Sequence, residues 1–315
     1  MWLRHIISAR HRRIATCVCL ALAAFGCTAD RASGTQILYI SDDQPGFVKS
    51  VGPAGGAADL YLSGFNQPFG LAFDAVGALY VVNASLGSIS RIAPGSGTVT
   101  TIITGLRYEA AYPNFLTIDP AGNLYVRSAG ARTILQVPTN GDAPRTYTTG
   151  MFVSPAGMAF DSLGNLYVAD EGTSEVYVVG PGGGSFSLFA TGFDNPWGLA
   201  IDSRNNVFVS NRAGNSISEV GPGGGVAHVF ATGFNSPLGL AFDNAGNLYV
   251  ADELNHQVDV ILAGTNSPLI FADNVFDPAG LAFNPATSVP ESSSGLLAAG
   301  GLIGLAAFRQ RRRFR

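Results

Sequence analysis

Six polar residues recur at one position of a repeat, Asp42, Asn83, Ser128, Asp170, Asn211 and Asp252, and every one carries an oxygen that can accept a hydrogen bond. Oxygen donors of this kind suit Ca²⁺, but an ion needs them within about 2.3–2.6 Å of one point. Equivalent positions of a repeat are spread around a ring instead. Turn capping, with Asp, Asn or Ser bonding loop N–H groups, is therefore the expected role. The same holds for Asp74, Asp119, Asp161, Asp202 and Asp243. No cofactor is implied.

Just beyond the first ring the copies differ, with Glu171, Arg212, Glu253, Arg132 and His256. Variation inside a fixed frame is where a private ligand would be read. The connector 106–112 is the longest of its kind and adds Arg107, Tyr108 and Tyr112. A third set lies between a recurrent proline and glycine and includes Phe69, Asn114, Trp197 and Leu238, with Ala156 and Ala279. Phe69 and Trp197 stand three copies apart. They form either an apolar clamp for a sugar ring or peptide side chain, or a plug.

Catalysis finds few candidates. Of the four histidines only His228 and His256 lie outside the N-terminal leader, and neither sits in a nucleophile or metal-ligand motif. His256 and Glu253 read as an acid–base pair or, more simply, as two solvated loop residues. All three cysteines, Cys17, Cys19 and Cys27, fall in or beside the leader, so neither a disulfide nor thiol chemistry is expected in the domain.

The elements that must position these residues follow from the spacing of Pro68, Pro113, Pro155, Pro196, Pro237 and Pro278, which are 45, 42, 41, 41 and 41 residues apart. A period near forty with strand-like content indicates a β-propeller of four-stranded antiparallel blades. Within residues 235–276, apolar and β-branched runs at 239–243, 248–251, 257–262 and 269–273 alternate with turn residues. Residues 35–64 supply three strands without a Pro-x-Gly strand, and residues 278–284 supply that strand alone. The C-terminal strand is thus expected to complete the N-terminal blade, giving six blades, all-β, over 34–285. Closure leaves no open end, and a monomer is expected. The glycine clusters 180–184 and 221–225 read as hairpin turns, since a phosphate loop needs a following helix.

Strand direction places any binding surface. The first strand, A, starts at Pro-x-Gly and strand B returns, so the D-to-A connectors and B-to-C loops share one face. The A-to-B and C-to-D turns on the opposite face are mostly glycine and short polar residues.

Both ends of the chain read as addresses. Arg4, Arg10, Arg12 and Arg13 precede the apolar run 14–25, the pattern of a secretory signal peptide over residues 1–29. Residues 286–315 hold Val289, Pro290, Glu291 and Ser292, then an apolar segment 295–308, then arginines within 309–315. Fourteen residues are short for a span needing about 20, yet the arginines would be held at the cytoplasmic side.

That tail resembles the PEP-CTERM sorting signal of Gram-negative bacteria, with Ser292 where the family has proline. The resemblance implies an exosortase-type processing enzyme as partner, a membrane tether through the tail before processing, and a cell-surface or extracellular location after it. The repeat is similar to the NHL family of six-bladed propellers: Gly164-Asn-Leu-Tyr-Val-Ala-Asp170 and Gly246-Asn-Leu-Tyr-Val-Ala-Asp252 carry its unit. The third copy departs at Asn114-Phe115 and Arg127-Ser128. Some six-bladed propellers are metal-dependent hydrolases or lyases of the lactonase and streptogramin-lyase type, which is the alternative to a binding or scaffold module for a polysaccharide or surface protein.

Nucleic acid is a disfavoured partner. The whole chain has a net charge of −4, but residues 34–285 carry 20 Asp plus Glu against 8 Lys plus Arg, a net of −12. Such a surface repels phosphate backbones.

Overall fold

A computed structural model describes residues 36–106, 113–128, 132–139 and 142–285. Within them the chain forms six sheets, each built on four antiparallel strands. Blade 1 comprises Pro278–Phe283, Leu38–Asp42, Phe47–Val51 and Asp59–Ser63 as strands A to D. Blade 2 follows with Pro68–Phe73, Leu79–Asn83, Ser88–Ile92 and Val99–Ile103, and blade 3 with Leu116–Ile118, Leu124–Ser128, Thr133–Val137 and Arg145–Thr146. Blade 4 is Pro155–Phe160, Leu166–Asp170, Glu175–Val179 and Phe186–Thr191, and blade 5 is Pro196–Ile201, Val207–Asn211, Ser216–Val220 and His228–Thr232. Blade 6 is Pro237–Phe242, Leu248–Asp252, Gln257–Ile261 and Pro268–Asp273.

The ring closes as the half-repeat predicts. Leu38 pairs with Phe283, Tyr39 with Ala282 and Ile40 with Leu281. Beyond the ladder, Ile37 N donates to Asn284 Oδ1 at 2.7 Å and Asn284 N to the Ile37 carbonyl at 3.2 Å. The first and last described strands are thereby one sheet, and neither end leaves an open A or B edge.

What holds the blades together is an aromatic seam. In blades 1, 3, 5 and 6 an aromatic residue in strand B meets one in or beside strand D of its own blade and one at the end of strand A in the next. Tyr39 packs edge-on against Tyr61 and Phe73, Tyr125 against Tyr147 and Phe160, and Phe208 against Phe230 and Phe242. Tyr249 does the same with Phe271 and Phe283, at 4.7 and 4.9 Å between centroids. Edge-to-face pairs at this distance add about 0.5–1.5 kcal/mol each beyond their buried area.

The glycine clusters do more than turn. Gly225–Val226 pairs in parallel with Ala190 and Thr191 of the preceding blade, Gly56–Ala57 with Ala272 and Asp273, and Gly184 bridges Thr148. Each clip covers part of an outer edge strand that would otherwise offer unpaired groups to another chain. Gly224 sits at φ +72° with its Cα against the Phe189 carbonyl, so a Cβ there is excluded by both conformation and space. Gly224→Ala is expected to cost about 1–3 kcal/mol, read as a lower melting temperature with loss of protection of the Ala227 amide, which donates to the Thr191 carbonyl at 2.8 Å.

Candidate functional site

The capping roles expected of the acceptor rings are present, except at Ser128, whose side chain lies outside what the structure describes. Asp170 accepts from Val153 N, Ser154 N and Gly172 N at 2.8, 2.7 and 3.0 Å, so it fixes both the connector entering strand A and the loop leaving strand B. Asp42 holds Asp277 N at 2.8 Å, Asp252 holds Asn235 N at 2.7 Å and Asn211 holds Asp194 N at 3.1 Å. Asn83 makes the weaker equivalent to Asn66 N at 3.4 Å. On the opposite face Asp161 accepts from Leu163 N, Asn165 N, Asn165 Nδ2 and Tyr167 OH; Asp243 repeats the pattern around its own turn, and Asp202 does so without the hydroxyl, since position 208 is phenylalanine. These oxygens are spent on the scaffold.

The connector face has an aromatic centre. Phe69 and Trp197 meet across the axis with centroids 6.4 Å apart, and Phe115 wedges between them at 5.8 and 5.7 Å. They plug the channel and leave no open clamp. Leu238 is buried in the same cluster, and the Asn114 carbonyl accepts from Gly70 N at 2.8 Å. Phe115 was not among the expected residues. Its signal was its position, since it replaces the glycine of Pro-x-Gly in one copy only.

Above the plug the variable residues gather into a connected patch. The Arg212 guanidinium lies 4.7 Å over the Trp197 ring, a cation–π contact. Arg212 also reaches Glu253 Oε2 at 3.5 Å and donates from Nε to Ser236 Oγ at 3.3 Å, while Ser236 Oγ donates to Glu253 at 2.6 Å. Glu171 accepts from Asn195 Nδ2 at 3.0 Å. Arg127 is half-buried beside Asp170 and Glu171, and desolvation lowers its pKa against their opposing pull.

His256 and Glu253 do not form an acid–base pair. The His256 ring stacks on Phe276 at 5.2 Å, with Nδ1 against the Phe276 carbonyl and 3.9 Å from Asp277. The Glu253 carboxylate turns to Arg212 and Ser236 instead. Left-handed backbone at His256, φ +55°, ends the short 3₁₀ turn Glu253–Asn255 and separates the two side chains. Arg132 is exposed at φ +52°. Arg107, Tyr108 and Tyr112, the signal peptide 1–29 and the tail with Val289, Pro290 and Glu291 lie outside the described residues.

Large apolar side chains rim the same face. Leu86, Met151, Val153, Leu254 and Phe276 are all exposed, Phe276 to 58%, and all belong to D-to-A connectors or B-to-C loops. The other face is hollowed. Below the plug a channel of about 220 Å³ is walled by strand A residues such as Gly70, Gly157, Gly198, Gly239 and Gly280. It opens among the A-to-B turns into a bowl of about 680 Å³, floored by Phe73, Ile118, Phe160 and Ile201.

Blade 6 contains a buried acid pair. Positions 252 and 259 face each other across strands B and C; the equivalents are Asn83 with Ser90, Asn211 with Ser218, and Asp42 with Lys49, bonded at 2.9, 2.8 and 2.8 Å. Here both are aspartates. Burial first, then the hydrogen bond with Asp252, pushes Asp259 up to about 7. Asp43, raised to about 6 by burial and by Asp277, Glu253 and Asp42, acts in the same sense. An unfolded Asp titrates near 3.9, so these groups stabilise the fold fully below about pH 4 and lose that contribution as pH rises through about 7. The melting temperature is expected to fall between pH 5 and pH 8. Asp259→Asn should flatten that fall and raise the pH 8 value by several degrees; an unchanged slope would show that the pair shares no proton.

The period, the Pro-x-Gly strand and the Asn-Leu-Tyr-Val-Ala-Asp strand can now be set beside known proteins. Residues 234–261 match the NHL repeat. No curated protein matches the chain by sequence. Among solved structures, a chain of a nidogen/laminin complex superposes with a TM-score of 0.70 at 20% identity, over 80% of this chain and 99% of that one. A streptogramin B lyase gives 0.55 at 15% identity, over 78% and 76% of the two chains. Virginiamycin B lyase from Staphylococcus aureus gives 0.55 at 17% identity, over 69% and 77%. At such identities the likeness is one of fold, and propellers carry binding and catalysis alike.

Proposed function

We propose that the protein is an exported binding module that recognises a partner on the face carrying the D-to-A and B-to-C loops, with a protein surface favoured over a polysaccharide. The observation that carries this reading is the Trp197–Arg212–Glu253 cluster ringed by exposed Leu86, Met151, Val153, Leu254 and Phe276. Exposed Met, Phe and Arg side chains are enriched in protein interfaces over the rest of the surface, and Arg is among the hot-spot residues. A nidogen/laminin complex among the structures of this shape lends support. The leader and the tail are the basis for export, for a tether and for processing by an exosortase-type enzyme. Among the described residues no helix is long and apolar enough to cross a membrane.

A metal-dependent hydrolase or lyase is the alternative, and two of the structures of this shape are lyases. It requires a metal-ligating set, and among the described residues no three His, Cys, Asp or Glu side chains come together in that way. Two measurements separate the readings. Immobilised full-length protein should retain a component of purified surface-protein fractions, and Arg212→Ala should weaken that retention at least tenfold while the protein remains folded. Retention of exopolysaccharide alone would change the partner class. A rise in melting temperature with Ca²⁺, Mg²⁺, Mn²⁺ or Zn²⁺ that chelation reverses would overturn the binding reading in favour of the enzyme.

A further inference from the structure

Both described ends of the chain leave the propeller on the face opposite the Trp197–Arg212 patch. Strand A of blade 1 starts at Pro278 on the connector face and runs down the channel wall to Phe283. Asn284 is pinned there by its bonds to Ile37. Gln36 Oε1 in turn accepts from Asn244 N, in the A-to-B turn of blade 6, at 2.8 Å. Residues 36 and 285 therefore stand at the A-to-B turns, beside the bowl.

The reach of the chain turns this placement into an orientation. Only residues 286–294, nine in number, separate the exit from the apolar segment 295–308. Fully extended they span at most about 30 Å. Strand A is the innermost strand, so a path to the other face must first cross three more strands, about 15 Å at 4.7–4.9 Å each. It must then climb a strand length of about 17–20 Å. That consumes more than the linker before the far rim is reached. Only six residues, 30–35, separate the leader 1–29 from residue 36 on the same face, so an anchor at either end gives the same answer.

We propose that, on the tethered reading above, the propeller is held with its A-to-B turns and bowl toward the bilayer and the Trp197–Arg212 face away from it. The partner of that face then approaches from the surrounding medium, as a matrix or neighbouring-cell component does, and is not an integral protein of the same bilayer.

The test uses the full chain with Cys17, Cys19 and Cys27 changed to Ser and one new thiol, Leu163→Cys on the bowl face or Leu254→Cys on the patch face. These positions are 72% and 55% exposed, so a fluorescent label is tolerated at both. Each labelled chain is floated with phosphatidylcholine vesicles containing a headgroup nitroxide lipid. Quenching several-fold stronger at 163 than at 254 is expected. Co-flotation with equal or reversed quenching would overturn the orientation and leave the tether standing, whereas failure to float would remove the tether and the orientation together.

Discussion

Trp197→Ala is expected to lower the stability of the propeller by about 3–5 kcal/mol, the range for truncating a large core aromatic. Trp197 is 8% exposed although it sits at the mouth of a channel. Its ring closes the opening against Phe69 and Phe115, residues 128 and 82 positions away in sequence, so the contact joins three blades across the axis. Alanine would open the channel below to the connector face and leave Arg212 without its ring. For a domain of this size the loss corresponds to roughly 6–20 °C in melting temperature. Trp197→Phe separates packing from polarity. The indole Nε1 is buried with no acceptor among the described residues, so removing it withdraws an unsatisfied donor while keeping an aromatic body. The Phe variant should therefore lose far less than the Ala variant. A melting temperature within about 2 °C of the parent for Trp197→Ala would mean that the mouth tolerates opening, and the clamp for a ligand would regain its standing over the plug.

The architecture was legible because each blade states it locally. Proline at the start of strand A, Asx residues at both turns and an aromatic in strand B recur at fixed offsets, and the unmatched strand at 278–284 dictated the closure. Turn capping was legible for the same reason, since an Asp such as Asp161 bonds groups two to six residues away. Contacts between blades were not. Phe69 and Trp197 could be placed on opposite sides of the mouth, but whether they meet depends on side-chain reach across the axis and on Phe115, whose direction no repeat predicts. The parallel clips at Gly56 and Gly225 escaped because they pair residues from neighbouring blades through glycines that read equally well as turns. The bowl escaped because its floor, Phe73, Ile118, Phe160 and Ile201, reads in sequence simply as the end of an apolar strand. Arg212 and Glu253 were individually visible as departures from the repeat; their contact joins adjacent blades, 41 residues apart, and became clear only with the ring closed.

Gly198→Ala is expected to be as damaging as losing the plug, from the smallest possible change. The glycines of Pro-x-Gly line the channel where neighbouring A strands come closest. A Cβ on Gly198 would stand within 3.0 Å of the Leu238 carbonyl oxygen, closer than real Cβ atoms come to anything, and Gly157, Gly239 and Gly280 meet the next blade in the same way. The nearest obstruction is the Leu238 backbone, which cannot turn aside as a side chain could, and Ser210 Oγ stands at 3.0 Å. Strand A of blade 5 would have to move away from blade 6, and the movement would strike the bonds that Ser210 makes there: Gly198 N donates to Ser210 Oγ and Ser210 Oγ to the Leu238 carbonyl, each at 2.7 Å. Overpacking in a well-packed core costs about 1–3 kcal/mol, and a buried hydrogen bond left unmade adds about 1–3 more. Gly221→Ala is the control, since its Cβ would meet nothing within 4 Å and its backbone is not left-handed. It should melt within about 1 °C of the parent while Gly198→Ala falls by 10 °C or more. Blade 3 carries Phe115 at this position, so its seam with blade 4 is built without the glycine approach. Phe115→Gly would restore the motif but remove the wedge of the plug, and it should destabilise. A gain in stability from that variant would show that the close approach of A strands, and not the aromatic mouth, holds the centre of the ring together.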